Sequence, residues 1–494
     1  MTETSTPVAV ATDGPPRTVW RPVLAVAAVT AVVHLIVATR YGWHRDEFYY
    51  VITGRHPAWG YVDQPPLTPL LARLAADLPG GVLPLRLFAV ATQIGCILLA
   101  ARLAAELGGR GRAQMLAAAA IAACPVFVGA SMLFGTTGTD QLVWALVLVA
   151  VARAVRLRTT GAWLLAGAAA GVGMENKDTT AVLLIGVAVG LVLWRREVLR
   201  TPGPWLAGGS AVALAVPNLV WNAVHGWPQI QMAGVLSARN GGPLGASAQV
   251  PVLLILLAGP VLVVLWVFGV RWLWGVGRDH RWLLAVVVVA LVLFTAGGGK
   301  SYYPAPALLA LFAAGAVRVE AGGKWVEWRI PIAVSWVLAL LIGLPMLPVS
   351  AANALRVVNP NPLETVGWPD FVRQVKDVAD TLPPGTVIFT SNYGEAGALT
   401  MLGADAGLRN PVSSGQNAYA YWGPPPGNPD TVLFVGEVGP DYLRRYWSDV
   451  REIAPITMPD GVQNEEIVNH AAIYVCQRPH GTWAQLWPAL AHIS

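Results

Sequence analysis

Charge is what this chain has least of. Only 12% of its 494 residues are Asp, Glu, Lys or Arg, where a soluble domain carries about 25%. That scarcity excludes a soluble enzyme, a disordered chain and a coiled coil. Cysteine is almost absent, with three residues, which excludes a disulfide framework. Cys96 and Cys124 fall in apolar runs and read as packed thiols, and no cysteine pair suggests a metal or redox centre. The net charge of +5 is spread over short loops, so it reads as a topology signal and excludes a nucleic-acid footprint. The first twenty residues are polar and lack a signal-peptide pattern. They read as a disordered cytoplasmic tail.

Apolar residues dominate what remains. Hydrophobic residues make up 55% and mean hydropathy is +0.53, as in a polytopic membrane protein. Glycine (51), proline (38) and tryptophan (21) are abundant, as suits membrane helices and their boundaries. Apolar runs predict eleven spans, near 22–39, 87–105, 113–129, 140–155, 161–175, 179–194, 204–222, 250–270, 282–297, 302–317 and 330–349. Alternate loops hold sixteen Lys and Arg residues against eight in the others. The positive-inside rule then places the N-terminus in the cytoplasm. An odd span count puts the C-terminal region outside.

The first outer loop, 40–86, is long. Leu67, Leu70, Leu71 and Leu74 share one helical face within it, which predicts a helix lying in the membrane interface. After 349 the composition turns polar. The segment 368–382 predicts an amphipathic helix, and 386–390, 431–436 and 472–477 predict buried strands. The expected domains are therefore a tail (1–20), a transmembrane domain (21–349) and a small extracytoplasmic α/β domain (350–494). No internal repeat is visible, which weighs against an inverted-repeat transporter.

Several polar clusters stand out, all of them in outer loops or at the outer ends of spans. His44-Arg45-Asp46-Glu47-Phe48-Tyr49-Tyr50 puts two adjacent carboxylates beside aromatic rings. A carboxylate there suits a general base or a ligand rich in hydroxyls, although a solvated loop end is the bland reading. Asp63-Gln64-Pro65-Pro66 fixes two polar residues against a stiff turn. Asp140 opens a span, where a helix N-cap would also explain it. Lys177 and Lys300 suit an anionic head group such as a phosphate, the latter followed by Tyr302 and Tyr303. Asn222 and His225 lie in PNLVWNAVHGW at another outer helix end. A convergent outer site of carboxylates, lysines and aromatics points to chemistry on a lipid head group.

These pieces, in this order, resemble the GT-C superfamily of membrane glycosyltransferases. RDEFYY (45–50), DQPPL (63–67), Asp140, GMENKDTT (173–180), PNLVWNAVHGWP (217–228) and GGKSYYPAPALLAL (298–311) carry the likeness. It is similar to the family 39/83 type, which includes protein O-mannosyltransferases and lipid A aminoarabinose transferases. SNYGEAGAL (391–399) and SGQNAYAYWGPP (414–425) resemble the soluble domain of actinobacterial members. The resemblance implies a GT-C-like fold in a bacterial plasma membrane. It implies transfer of a sugar, with inversion, from a polyprenyl-phosphate donor to an acceptor hydroxyl on the outer face. Asp46 matches the proposed base, with Glu47 beside it as a second catalytic candidate. Arg45, Tyr49, Tyr50, Gln64, Asp140, Lys177, Asn222, Lys300, Tyr302 and Tyr303 are the candidate substrate-binding residues. Gln64 replaces a lysine that meets the donor phosphate in the aminoarabinose enzymes, and Lys177 or Lys300 is expected to compensate. Asp63 and His225 occupy the places where relatives bind a divalent metal ion. The rival expectation is a transporter or flippase that binds the same lipid-linked sugar without breaking a bond. Neither the sugar nor the acceptor (protein, glycan, lipid or metabolite) is legible.

Overall fold

The computed structural model describes residues 14–494, so most of the expected disordered tail, residues 1–13, lies outside the described residues. Residues 20–343 fold into packed helices, and a five-stranded sheet with flanking helices follows. Each of the eleven expected spans falls on one helix or on a pair of helices. Among the described residues, four helices are long and apolar enough to cross a membrane: Trp20–Val37, Leu83–Glu106, Gly203–Val224 and Trp325–Gly343. The count is five if Pro228–Arg239 and Gly242–Ala258, bent by 73°, form one span.

The shortfall has a local cause. The expected span 250–270 is two helices, because Gly242–Ala258 ends at Gly259, with φ of 91°, and Pro260 follows. Proline has no N–H to continue the ladder. The span 113–129 is likewise cut ahead of Pro125 into Gly111–Ala122 and Pro125–Ala130. Others, such as Thr160–Met174 and Trp282–Ala296, are apolar but short.

Small residues set the packing. A side chain at Gly186 would meet the Cα of Val286 at 2.7 Å, and one at Gly190 would meet the Trp282 carbonyl at 2.5 Å. Backbones of the Thr179–Trp194 and Trp282–Ala296 helices thus approach as membrane helices do at small-residue contacts. The Leu67–Ala76 helix buries Thr68, Pro69 and Ala72 and leaves Leu70 and Leu74 half exposed. Of the four leucines expected on one face, Leu70 and Leu74 face outward, whereas Leu71 packs against the cluster of Val51, Ala72, Leu85 and Phe134.

In the C-terminal region the strands are β1 (Val387–Thr390), β2 (Val412–Ser414), β3 (Thr431–Gly436), β4 (Trp447–Pro455) and β5 (Ala472–Pro479). Their order is β2-β1-β3-β5-β4. β1 pairs parallel to β2 and β3, with Thr390 opposite Val435, and β5 is antiparallel to β3 and β4. The predicted helix is Trp368–Ala379, and the three predicted strands are β1, β3 and β5. Phe48, from the helix Arg45–Arg55, is fully buried against Trp368, Phe371 and Leu399. The sheet region and that helix share one core.

Gly190→Leu should lower the thermal midpoint of the detergent-solubilised protein. Even Gly190→Ala forces the Trp282 backbone to shift, at about 1–3 kcal/mol. Gly208→Ala, which meets open space, should leave the midpoint unchanged. Equal midpoints for both alanine variants would rule out this packing.

Candidate active site

The site is built on the helix Arg45–Arg55. His44 caps it: the imidazole Nδ1 accepts from the Asp46 N–H at 3.1 Å, and Glu47 accepts from the His44 N–H at 2.9 Å. This reciprocal box fixes the first turn. Successive residues on a helix point about 100° apart, so Asp46 and Glu47 face different surroundings.

Glu47 is fully buried. One oxygen meets Arg86 Nη2 at 2.8 Å and the other accepts from the Phe134 N–H at 2.8 Å. Arg86 also donates to the carbonyls of Met132 and Gly42. Both Glu47 oxygens are engaged, so the geometry assigns Glu47 to holding the loop and removes it from the catalytic pair expected from sequence.

Asp46 keeps 35% of its side chain open. Its Oδ1 accepts the Tyr393 hydroxyl at 2.9 Å, across 347 residues of sequence. Burial alone would raise its pKa. His44, Arg45, the Tyr393 hydrogen bond and Lys300 together outweigh that and hold it below the ordinary 3.8. Asp46 is therefore ionised at neutral pH. Arg45 is buried, pairs with Glu465, and lies over the Tyr393 ring at 5.5 Å.

Tyr49 donates to Asp63 Oδ1 at 3.0 Å, accepts from the Ala418 N–H at 3.1 Å and packs on Tyr393 with ring centroids 4.5 Å apart. Burial pushes the Asp63 carboxyl up to about 7, against the pull of the Tyr49 hydroxyl. Tyr50 packs edge-on against Phe134. Gln64 is buried, and neither end of its amide has a partner.

The lysines stand across from these groups. Lys177 lies over the rings of Tyr303 (4.6 Å) and Tyr302 (5.6 Å), and Lys300 lies 6.0 Å from the Tyr302 ring. Lys300 is within electrostatic reach of both Asp46 and Lys177, and Lys177 of Asp140. Burial and Lys300 lower the Lys177 pKa, against Asp140 and Asp178. Asp140 is buried and accepts the Thr179 hydroxyl at 2.7 Å. Neighbouring Asn176 positions Lys177: it binds the Thr68 hydroxyl at 2.7 Å and donates to the Thr136 carbonyl at 3.1 Å.

Asn222 and His225 stand apart from this group. Asn222 is buried and donates to Gln229 at 2.7 Å, and Gln229 in turn donates to the Tyr61 carbonyl at 3.0 Å. It supports the Tyr61–Gln64 turn. His225 is exposed, with Nδ1 2.8 Å from the Trp221 carbonyl and its ring stacked on Trp221. Asp63 and His225 offer two ligands, where a zinc site takes three or four. Among the described residues no third His, Cys, Asp or Glu joins them, and no step is drawn through a metal at that place.

Sequence reasoning missed Arg86, Asn176 and Tyr393. Tyr393 carried one signal, the Asn392-Tyr-Gly-Glu395 capping box, which places it in the first turn of its helix.

Known proteins bear on this geometry. A family model described as dolichyl-phosphate-mannose-protein mannosyltransferase matches residues 63–221. No curated protein matches the chain. The structure is similar to ArnT from Cupriavidus metallidurans bound to undecaprenyl phosphate, with TM-score 0.61, 14% identity, 92% of this chain and 97% of that chain covered. Against apo ArnT from the same organism the TM-score is 0.57 at 15% identity, with the same coverage. An oligosaccharyltransferase from Archaeoglobus fulgidus matches at TM-score 0.46 and 14% identity, over 76% of this chain and 62% of that one. The resemblance to the GT-C superfamily read from the sequence is borne out, and the fold is the one seen in ArnT.

Arg86→Met should be severely destabilising, by about 3–5 kcal/mol, because it strands the buried Glu47 carboxylate. The double variant Arg86→Met/Glu47→Leu should recover part of that loss. Chemical unfolding in detergent tests both, and a single variant as stable as wild type would remove Glu47 from its structural role.

Proposed function

We propose that this chain is an integral membrane glycosyltransferase that takes a sugar from a polyprenyl-phosphate donor and transfers it, with inversion, to an acceptor hydroxyl on the extracytoplasmic face. The observation that carries this reading is the state of Asp46: partly open, ionised, and flanked by Arg45, Tyr393 and Lys300. The GT-C fold supports it. ArnT from Cupriavidus metallidurans is bound to undecaprenyl phosphate in its structure, and a ligand of that class suits the lysine pair here.

In this reading Asp46 accepts the proton of the acceptor hydroxyl as the oxygen attacks the sugar C1. The bond from C1 to the phosphate oxygen breaks on the opposite side, and polyprenyl phosphate leaves with the electron pair. Lys177 and Lys300 offset charge on the departing phosphate in a water-poor recess, where such charges act most strongly. Tyr302 and Tyr303 hold Lys177 beneath their rings. Gln64, with both amide ends unpartnered, offers hydrogen bonds to sugar hydroxyls. Asp140 keeps Lys177 charged. Arg45, Tyr49 and Tyr50 shape the wall nearest Asp46, and Asn222 steadies the turn that carries Gln64. The N-terminus is cytoplasmic and the C-terminal region extracytoplasmic, in the plasma membrane of a bacterium of actinobacterial type.

The test is a transfer assay in membranes with radiolabelled polyprenyl-phosphate sugars, supplied one at a time. Wild type should remove label from the lipid fraction, and Asp46→Asn should be slower by about 10²–10⁴-fold, as for loss of a general base. Normal transfer by Asp46→Asn would end its role as base. Label that stays on intact lipid and changes leaflet would establish a transporter. Tyr393→Phe keeps the ring and loses the hydrogen bond that holds the Asp46 pKa down. Asp46 works ionised, so rate falls as pH falls through its pKa. The acid limb should therefore move to higher pH in Tyr393→Phe, and an unmoved limb would show that the hydroxyl does not act on Asp46.

A further inference from the structure

Behind Tyr393 lies a second cluster that the transfer reaction does not use. Glu395, Glu437 and Glu466 come from three separate elements. Glu395 is in the first turn of the Tyr393–Ala406 helix, Glu437 directly follows β3, and Glu466 is on the short turn Glu465–Val468. One carboxylate oxygen from each lies within 4.8 Å of the others. Two oxygens on one calcium ion, at 2.3–2.6 Å from it, stand no more than about 5 Å apart. Glu395 and Glu466 are fully buried, and Glu437 is half-buried, which leaves a way in.

Two further observations point to a ligand. The first is the set of buried oxygens without a donor. Neither oxygen of Glu466 has a hydrogen-bond partner, and one oxygen each of Glu395 and Glu437 also lacks one. Their other oxygens are engaged: Glu395 Oε2 accepts from Ser391 (2.9 Å) and the Asn392 N–H (3.1 Å), and Glu437 Oε2 accepts from Asn469 (3.1 Å). Those bonds hold the Glu395 and Glu437 carboxylates in place beside Glu466. Buried carboxylate oxygens without donors are rare in folded proteins. The second observation is position. In the order β2-β1-β3-β5-β4 the chain leaves β1 toward β2 at one edge and leaves β3 toward β4 at the other, and open α/β sheets bind ligands at such a switch point, beyond the carboxyl ends of the strands. Glu395 follows β1 and Glu437 follows β3 there.

Charge count agrees. Glu364, Glu437, Glu465 and Glu466 lie within electrostatic reach of Arg45, and Glu395 lies within reach of Glu437 and Glu466. We infer that Glu395, Glu437 and Glu466 form a binding site for a hard divalent cation, calcium by its all-oxygen, flexible coordination. The ion would neutralise the cluster and fasten the Tyr393 helix, the end of β3 and the Glu466 turn together. This inference does not rest on the glycosyltransferase reading.

The test uses the full-length protein in detergent, stripped with a chelator and titrated calorimetrically with calcium chloride. Wild type should bind one calcium ion per chain and melt at a higher temperature with calcium than with chelator. Glu466→Gln should weaken binding at least tenfold and lose the calcium-dependent rise. It should also melt no lower than wild type in chelator, since it removes a repelling charge. Glu437→Gln, at the half-buried rim, should weaken binding in the same way and guards against misfolding of the first variant. Asp63→Asn should bind as wild type does. The site is overturned if wild type binds none of calcium, magnesium or manganese saturably, or if both glutamine variants bind calcium as tightly as wild type.

Discussion

A single buried carboxylate ties this structure together. Glu47 has no exposed surface and three donor contacts drawn from three places: its own helix cap at His44, Arg86 of the Leu83–Glu106 helix, and the Phe134 N–H ahead of the Thr136–Leu157 helix. An ionised carboxylate is tolerated in a dry interior only when it is paired and its lone pairs are filled. Arg86 meets the same demand through two backbone carbonyls. The pair therefore has one geometry in which both Glu47 oxygens and both terminal nitrogens of Arg86 are engaged. That geometry sets the rotation of the Arg45–Arg55 helix. Rotation of this helix is what the site needs, because Asp46 is the next residue around it.

Asp46 faces a recess that holds charges of both signs. Asp46, Lys300, Lys177 and Asp140 each lie within electrostatic reach of the next. Lys300 favours the ionised form of Asp46, and Asp140 favours the charged form of Lys177. The aromatic rings do related work. Tyr302 and Tyr303 receive Lys177, and Tyr393 receives Arg45. Cations held over rings remain available to an anion while losing little on desolvation. A site of fixed positive groups around one free carboxylate favours a reaction in which a proton is taken at one end and negative charge appears at the other.

Much of this was legible in the sequence, for identifiable reasons. Long apolar runs located the helices, and strongly apolar β1, β3 and β5 stood out as buried strands. Helix breaks were harder to read: Gly259-Pro260 interrupts a run whose hydropathy never falls. β2 is three residues long, and β4 is an edge strand with mostly exposed side chains, so neither carries an apolar signature. At the site, RDEFYY announced itself by composition. Which of its two carboxylates faces the recess depends on a helix phase that only Arg86 and Phe134 decide. Tyr393 was illegible as a partner of Asp46, because no local pattern encodes a contact across 347 residues.

That long-range contact depends on two residues with no side chain. A Cβ at Gly394 would meet the Arg45 Cβ at 2.8 Å, and one at Gly397 would meet the Phe48 Cβ at 2.6 Å. The Tyr393 helix thus lies against the Arg45 helix at a separation that only glycine permits. With Phe48 inserted into the core under the sheet, the two helices cannot slide without opening that core. The sheet region is therefore part of the wall that holds Asp46. A displacement of the Tyr393 helix by one ångström would break the hydroxyl contact to Asp46 before it exposed any apolar surface. The capping box that starts this helix uses Glu395, one of the three clustered glutamates. The same side chain that fixes where the helix begins also faces its like-charged neighbours, so whatever neutralises that cluster bears directly on where Tyr393 stands.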